Sequence, residues 1–137
     1  MIVPTRRLLV LCTAVTVLML APVQAGAASK RQGRAEAGRT IFNGKGTCYY
    51  CHGEDGRRDR LPALRKDTAD LIARLNPPPA DLRNAGSLKR GDDTMRAQLI
   101  REGHPGTGMF PDTTVTDDEL LDLLAYLAAL RSHPFSE

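Results

Sequence analysis

Cys48-Tyr49-Tyr50-Cys51-His52 sets two thiols and an imidazole within one short stretch, and several chemistries would use that set differently. A disulfide between the thiols would close a very small loop and add little stability. A thioredoxin-like redox pair would follow a strand and open a helix in a βαβ unit, and no nearby segment alternates with strand period. A zinc site wants four ligands in pairs, and only His52, His104 and His133 remain to complete one. The residue directly after the second cysteine decides among these. C-x-x-C-H is the signature of covalent c-type haem attachment, in which the two thiols add to the haem vinyl groups and the histidine binds iron. One helical turn sets the sulfurs at the separation of the vinyls, and the next side chain then projects a ring nitrogen toward the metal.

The third cysteine, Cys12, falls in a segment that reads as a secretory leader over residues 1–27. Arg6 and Arg7 precede an apolar run from Leu8 to Leu20, and Ala25-Gly26-Ala27-Ala28 supplies the small residues of a cleavage site. The run is shorter than the roughly 20 residues of a membrane span and fits the roughly 7–15 of a signal. An uncleaved amphipathic anchor is the rival reading. Thr5-Arg6-Arg7 and Leu9-Val10-Leu11-Cys12 are poor matches to the twin-arginine and lipidation patterns. Cleavage leaves Cys48 and Cys51 as the only cysteines of a chain sent to an oxidising compartment.

Composition narrows the class further. At 137 residues, 42% hydrophobic and 26% charged, the chain has the make-up of one folded soluble domain, which excludes disorder and collagen-like repeats. The net charge of +3 drops to +1 once Arg6 and Arg7 leave with the leader, so the charge gives no warrant for nucleic-acid binding. Aromatic residues make up only 4%, with no Trp, so few large rings are available to fill a small core. A bound haem would supply the missing apolar body, and the chain without it should be largely unfolded.

The elements that must position these groups read as helices. Arg34 to Asn43 carries Ala35, Gly38 and Phe42, and is ended by Gly44 and Gly46. A loop rich in charge runs from Gly53 to Arg60. Leu64, Thr68, Leu71 and Leu75 recur at helical spacing until Asn76-Pro77-Pro78-Pro79 stops the helix. A further helix spans about Asp93 to Glu102, with Gly103 as its cap. Thr116-Asp117-Asp118-Glu119 is a capping box, and Leu120, Leu123, Leu124, Leu127 and Leu130 make one apolar stripe behind it. No strand-like alternation competes. The expected fold is all-α, with four or five short helices, no repeats and no second domain.

With these residues in view, the chain resembles the monohaem class I c-type cytochromes, here over residues 28–137. Gly38-Arg39-Thr40-Ile41-Phe42 resembles the G-x-x-x-F of that family's N-terminal helix, and Tyr126 sits where the family's C-terminal helix carries an aromatic. The resemblance implies that these helices cross closely around one covalent haem c held by Cys48, Cys51 and His52. Leu61-Pro62-Ala63-Leu64 resembles the family's P-x-L segment, which implies that the Pro62 carbonyl accepts a hydrogen bond from His52; Pro62 also suits the first position of a helix. Asn76-Pro77-Pro78-Pro79-Ala80-Asp81-Leu82 resembles a stiff loop that packs along the haem edge.

A second axial ligand sets what the iron can do. Met109 lies in Gly103-His104-Pro105-Gly106-Thr107-Gly108-Met109-Phe110-Pro111, an irregular loop able to press a thioether onto a haem face. The loop also resembles the family's G-T-x-M-P segment, with Phe110 where a Pro is often found. Met95, four residues before Leu99 on a helix, reads as core. His104 is the nearer rival because it shares the loop, and His133 lies at a chain end before Pro134. His52/Met109 ligation would raise the reduction potential and leave no open position on the iron.

What the resemblance implies is a bacterial periplasmic carrier of single electrons, not an enzyme. Its redox partners would be a donor dehydrogenase or quinol-oxidising complex and an acceptor oxidase or reductase. The alternatives are a dedicated haem subunit docked to one larger enzyme, and a peroxidase or gas sensor with an open iron position. Arg57, Arg58, Arg60, Arg65 and Lys66 read as a solvated charged loop, interspersed as they are with Asp55, Asp59 and Asp67, or as a docking face for an acidic redox partner.

Overall fold

The computed structural model describes residues 31–84 and 92–132. The leader expected over 1–27, including Cys12, and His133 lie outside them. Among the described residues there are five α-helices and no strand: α1 (Ala35–Phe42), α2 (Tyr49–His52), α3 (Lys66–Ala73), α4 (Asp93–Glu102) and α5 (Asp117–Ser132), with one 3₁₀ turn at Glu54–Gly56. This is the all-α architecture that the sequence leads one to expect.

The frame of the molecule is the crossing of α1 and α5. Gly38 makes it possible, because a Cβ there would fall inside the carbonyl of Asp122 and within 2.8 Å of the Tyr126 Cβ. One turn further on, Phe42 and Tyr126 meet edge to face with ring centroids 5.5 Å apart, a favoured geometry for aromatic pairs. Phe42 and Leu123 are the most deeply buried large side chains, and Ile41, Ile100, Val115, Leu120, Leu124 and Leu130 complete the core. Leu127, the remaining leucine of the expected stripe, packs against it.

α5 begins as the capping box requires. The Thr116 N–H donates to Glu119 Oε2 at 2.8 Å and the Glu119 N–H to Thr116 Oγ1 at 3.3 Å. Glu119 also takes Lys45 at 2.7 Å, which fastens the turn after α1 to the start of α5. Asp122 interrupts the apolar stripe, and its buried carboxylate receives Arg31 Nη2 on both oxygens at 2.8–2.9 Å and the Arg34 N–H at 2.7 Å. The chain entering α1 is thus anchored on α5, and the carboxylate is satisfied by charge-assisted bonds.

α4 starts where the Asp92 carboxylate accepts the Met95 N–H at 2.9 Å and ends at Gly103, which has a positive φ of 78°. Met95 is 48% exposed, so the expectation that it belongs to the core is not met. Leu99 is half-buried and Ile100 buried, and the inner face of α4 runs through Ala97 and Ile100 instead. α3 differs from expectation in phase. Leu71 is 59% exposed, while Thr68, Ile72 and Leu75 are half-buried, so the inner face follows i, i+4, i+7 from Thr68 and passes Leu71 by.

Candidate haem-attachment site

A single helical turn delivers the three reactive groups. Cys48 precedes α2, and its carbonyl accepts the His52 N–H at 3.0 Å, while Gly53 N–H reaches Tyr49 O at 2.9 Å. This turn sends Tyr49 to the core and leaves Tyr50 exposed, while Cys48, Cys51 and His52 all line one cavity of about 520 Å³. The volume lies within the range of about 300–1,000 Å³ expected of a cofactor pocket. Both cysteines are free thiols.

Other walls come from two irregular segments. Leu75, Pro77, Pro78, Pro79 and Ala80 form one, and residues 107–114, including Met109, form another. Met109 is placed by its own loop: its carbonyl accepts the His104 N–H at 3.0 Å, and its N–H donates to Thr107 Oγ1 at 3.1 Å. Thr107 in turn donates through Oγ1 to the His104 carbonyl at 2.8 Å. Leu75 packs directly on Gly108. His104 lines the cavity with an exposed side chain, whereas Met95 does not line it.

The imidazole of His52 has a partner other than the expected one. Nδ1 lies 2.9 Å from the carbonyl oxygen of Ala80, and Pro62 does not line the cavity. The assignment of Pro62 to His52 is therefore corrected to Ala80. The reason is local: Glu54 N–H bonds to Arg60 O at 2.8 Å and Gly56 N–H to Gly53 O at 3.0 Å, which closes residues 53–60 into a compact loop. Leu61 leaves that loop exposed, and the proline-rich stretch 76–80 crosses the histidine in its place. A carbonyl only accepts, so Nδ1 carries the hydrogen and Nε2 keeps its lone pair.

Burial dominates the electrostatics of the two thiols. Burial, reinforced by Asp112 and Cys51, pushes the Cys48 thiol up to about 12. Burial also raises Cys51, against the opposing pull of Arg58, whose guanidinium donates to the Cys51 carbonyl. Without a bound partner, these surroundings favour the neutral thiol at both cysteines. Among the described residues no cluster of three or more His, Cys, Asp or Glu side chains is arranged to hold a metal ion. Burial lowers the His52 pKa; the Ala80 hydrogen bond opposes that shift and Arg58 adds to it, so the imidazole is held neutral.

Sequence reasoning missed Ala80, Arg58 and Asp112. Ala80 acts through its backbone and Arg58 is one of several arginines in its loop, so neither carried a signal. Asp112 did: an Asp followed by Thr113-Thr114 before a capping box is turn chemistry. Its Oδ1 accepts from the Thr114 N–H at 2.7 Å and the Val115 N–H at 3.0 Å, and it shapes the wall beside Cys48.

Two neutral thiols, a neutral imidazole and a thioether around one largely apolar cavity in an all-α fold suit an apolar cofactor tethered through sulfur and ligated by nitrogen. That defines a haem-binding electron carrier of the c type. A family model for Cytochrome c matches residues 35–131, and the chain belongs to that family. No match is found among curated proteins or among solved structures. Family membership implies a covalently bound haem c and electron transfer rather than catalysis.

Proposed function

We propose that the protein is an exported carrier of single electrons with one haem c, tethered through Cys48 and Cys51 and ligated by His52 and Met109. The observation that carries this reading is the shared cavity: Cys48, Cys51, His52 and Met109 line it together. Haem c, when bound, supplies a one-electron iron couple. Cys48 and Cys51 would hold it through thioether bonds to their sulfurs, S–H adding across each vinyl group without net oxidation. His52 offers Nε2, held in its tautomer by the Ala80 carbonyl. Met109 offers a thioether, which favours the reduced metal relative to a second nitrogen ligand and raises the potential. The prolines at 77–79 and the loop around Met109 wall the cavity, and with both ligands in place the iron would have no open position for substrate.

The sequence contains one C-x-x-C-H motif, which supports a single haem, and the leader read over residues 1–27 supports a periplasmic location. No helix among the described residues is long and apolar enough to cross a membrane. Redox proteins on either side of the carrier, a donor dehydrogenase or quinol-oxidising complex and an acceptor oxidase or reductase, complete the reading.

The test is expression with haem-maturation machinery and secretion. Colour that survives acid-acetone extraction, in a product lacking residues 1–27 and recovered from the periplasm, is the expected result. A colourless product, or colour lost on extraction, overturns the covalent tether. Size-exclusion chromatography of native soluble and membrane fractions distinguishes a free carrier from a subunit that stays docked to a larger enzyme.

A further inference from the structure

His52 and Asp55 stand three residues apart after the second cysteine, and Ala80 and Arg83 stand three apart after the prolines. The two stretches are joined at both positions. His52 Nδ1 donates to the Ala80 carbonyl at 2.9 Å, and Arg83 Nε donates to the Asp55 carbonyl at 3.0 Å. Each bond joins partners 28 residues apart, so together they make a two-rung clamp in matched register. Leu82, next to the second rung, lies beside Gly56 and packs against the core.

The first rung depends on the second. Pro77, Pro78 and Pro79 have no N–H to donate, so the stretch that delivers the Ala80 carbonyl cannot be tied down by its own amides there. Ala80 is exposed and has only a methyl group to pack. A turn just beyond it does the fixing. Asp81 Oδ1 accepts the Arg83 N–H at 3.0 Å and the Asp81 carbonyl accepts the Asn84 N–H at 3.3 Å, while the Arg83 side chain reaches back to the loop behind His52. The far end of that rung is held from several sides. Asp55 has a positive φ of 54°, uncommon for a residue with a Cβ; its N–H donates to Asn43 Oδ1 at 2.9 Å, and its carboxylate takes Arg39 and Asn43. Arg83 thus ties the chain that carries the Ala80 carbonyl to a point anchored on α1.

We propose that Arg83 is a positioning residue for His52: its Nε–H bond to Asp55 holds the Ala80 carbonyl where it orients the imidazole and strengthens it as a ligand. The inference rests on the reading of His52 as the iron ligand. A hydrogen bond at Nδ1 makes the ring more basic, which favours oxidised iron, so losing the second rung weakens the first and raises the potential. General loosening acts in the opposite direction, because water entering the site favours the more highly charged, oxidised state. The sign of the change therefore separates positioning from structural support.

The test compares Arg83→Gln with Arg83→Met in the full haem-loaded protein. Both remove the charge and both terminal nitrogens of the guanidinium. Gln keeps an N–H donor as many bonds from the backbone as arginine Nε, and Met has none. Midpoint potential is read by spectroelectrochemical titration, and solvent exchange of the His52 Nδ1 proton by NMR of the reduced form. The expected result is a higher potential in Arg83→Met than in Arg83→Gln, with Nδ1 exchange about tenfold faster in Arg83→Met. Asp81→Ala leaves Arg83 in place but removes its turn, at an exposed position, and should speed the same exchange; this arm decides the matter if Arg83→Met does not fold. Thr116→Ala, whose effect falls on α5, should leave that exchange as in the unaltered protein. Equal potentials in the two Arg83 variants, a lower one in Arg83→Met, or exchange speeded as much by Thr116→Ala would each overturn the proposal and leave ligation by His52 standing. An unaltered protein that takes up no haem would overturn that ligation, and the proposal with it.

Discussion

Gly38 and Asp122 meet backbone to backbone, with no room for a side chain at residue 38 beneath the Asp122 carbonyl. Gly38→Ala therefore has two opposing effects. Alanine favours a helix by up to about 1 kcal/mol over glycine. The added methyl would force α1 and α5 apart along the crossing that buries Phe42, Leu123 and Tyr126, a strain of the overpacking kind that costs about 2–3 kcal/mol. The steric effect wins, and denaturant titration of the haem-loaded variant should show a net loss of about 1–2 kcal/mol. Equal or greater stability would mean that the crossing is looser than its geometry indicates.

How much of this was legible beforehand depended on where the information resides. Thr116 and Glu119 announced the start of α5 because a capping box is a local pattern with a local cause. Gly38 and Phe42 announced the inner face of α1 through spacing alone. The thiols and His52 were readable from five consecutive residues, and the structure also brings Met109 to the same cavity. Ala80 was not readable, since any residue supplies the same carbonyl and only the path of the chain decides which one reaches His52. Leu71 and Met95 misled because an eight- or ten-residue helix with few apolar side chains leaves its phase to its tertiary neighbours. Asp55 read as part of a solvated charged loop and Asp122 carried no signal, because their roles depend on Arg39 and Arg31, which lie 16 and 91 residues away in sequence.

Asp55 makes stability depend on acid. The Arg39 fork first, then Asn43 and the Tyr126 hydroxyl, overcome burial and hold its carboxyl at about 2, below the ordinary 3.8. A depressed folded-state pKa stabilises the protein above the unfolded value, and that stability is lost as pH falls from about 4 toward 2. Arg39 is half exposed, so solvent screens the pair and its contribution is on the order of 1 kcal/mol. Asp55→Asn should be less stable at pH 7 by that order and should lose less on acidification. Glu119, held at about 2 by Lys45 and Thr116, keeps part of the acid limb in place. Parallel stability curves for variant and parent between pH 5 and pH 2, followed by circular dichroism, would refute the assignment.

The capping box gives a smaller and more local prediction. Thr116→Ala removes the acceptor for the Glu119 N–H but leaves Glu119 free to accept from residue 116 and to hold Lys45. The expected loss is about 1 kcal/mol, with faster hydrogen exchange confined to the first turn of α5. Glu119→Ala, which removes the Lys45 ion pair as well, should cost more than Thr116→Ala. The reverse order would show that the hydroxyl, and not the carboxylate, carries the start of the helix.

Met109 is where the proposed ligation is most exposed to test. Met109 lines the cavity on a segment held by the His104 N–H, the Thr107 hydroxyl and the packing of Leu75 on Gly108. Met109→Ala should abolish the weak red absorption that reports iron bound to methionine, lower the potential and let carbon monoxide bind the reduced protein at neutral pH. His104→Ala should leave the spectrum intact, because His104 supports the loop through its backbone N–H and carbonyl, which alanine retains. Met95→Ala should also be silent, since Met95 is exposed on α4 and away from the cavity wall. If the band survives in Met109→Ala and disappears in Met95→Ala, the ligand is Met95. If carbon monoxide already binds the unaltered reduced protein, the iron has an open position, and a peroxidase or sensor role displaces simple electron transfer.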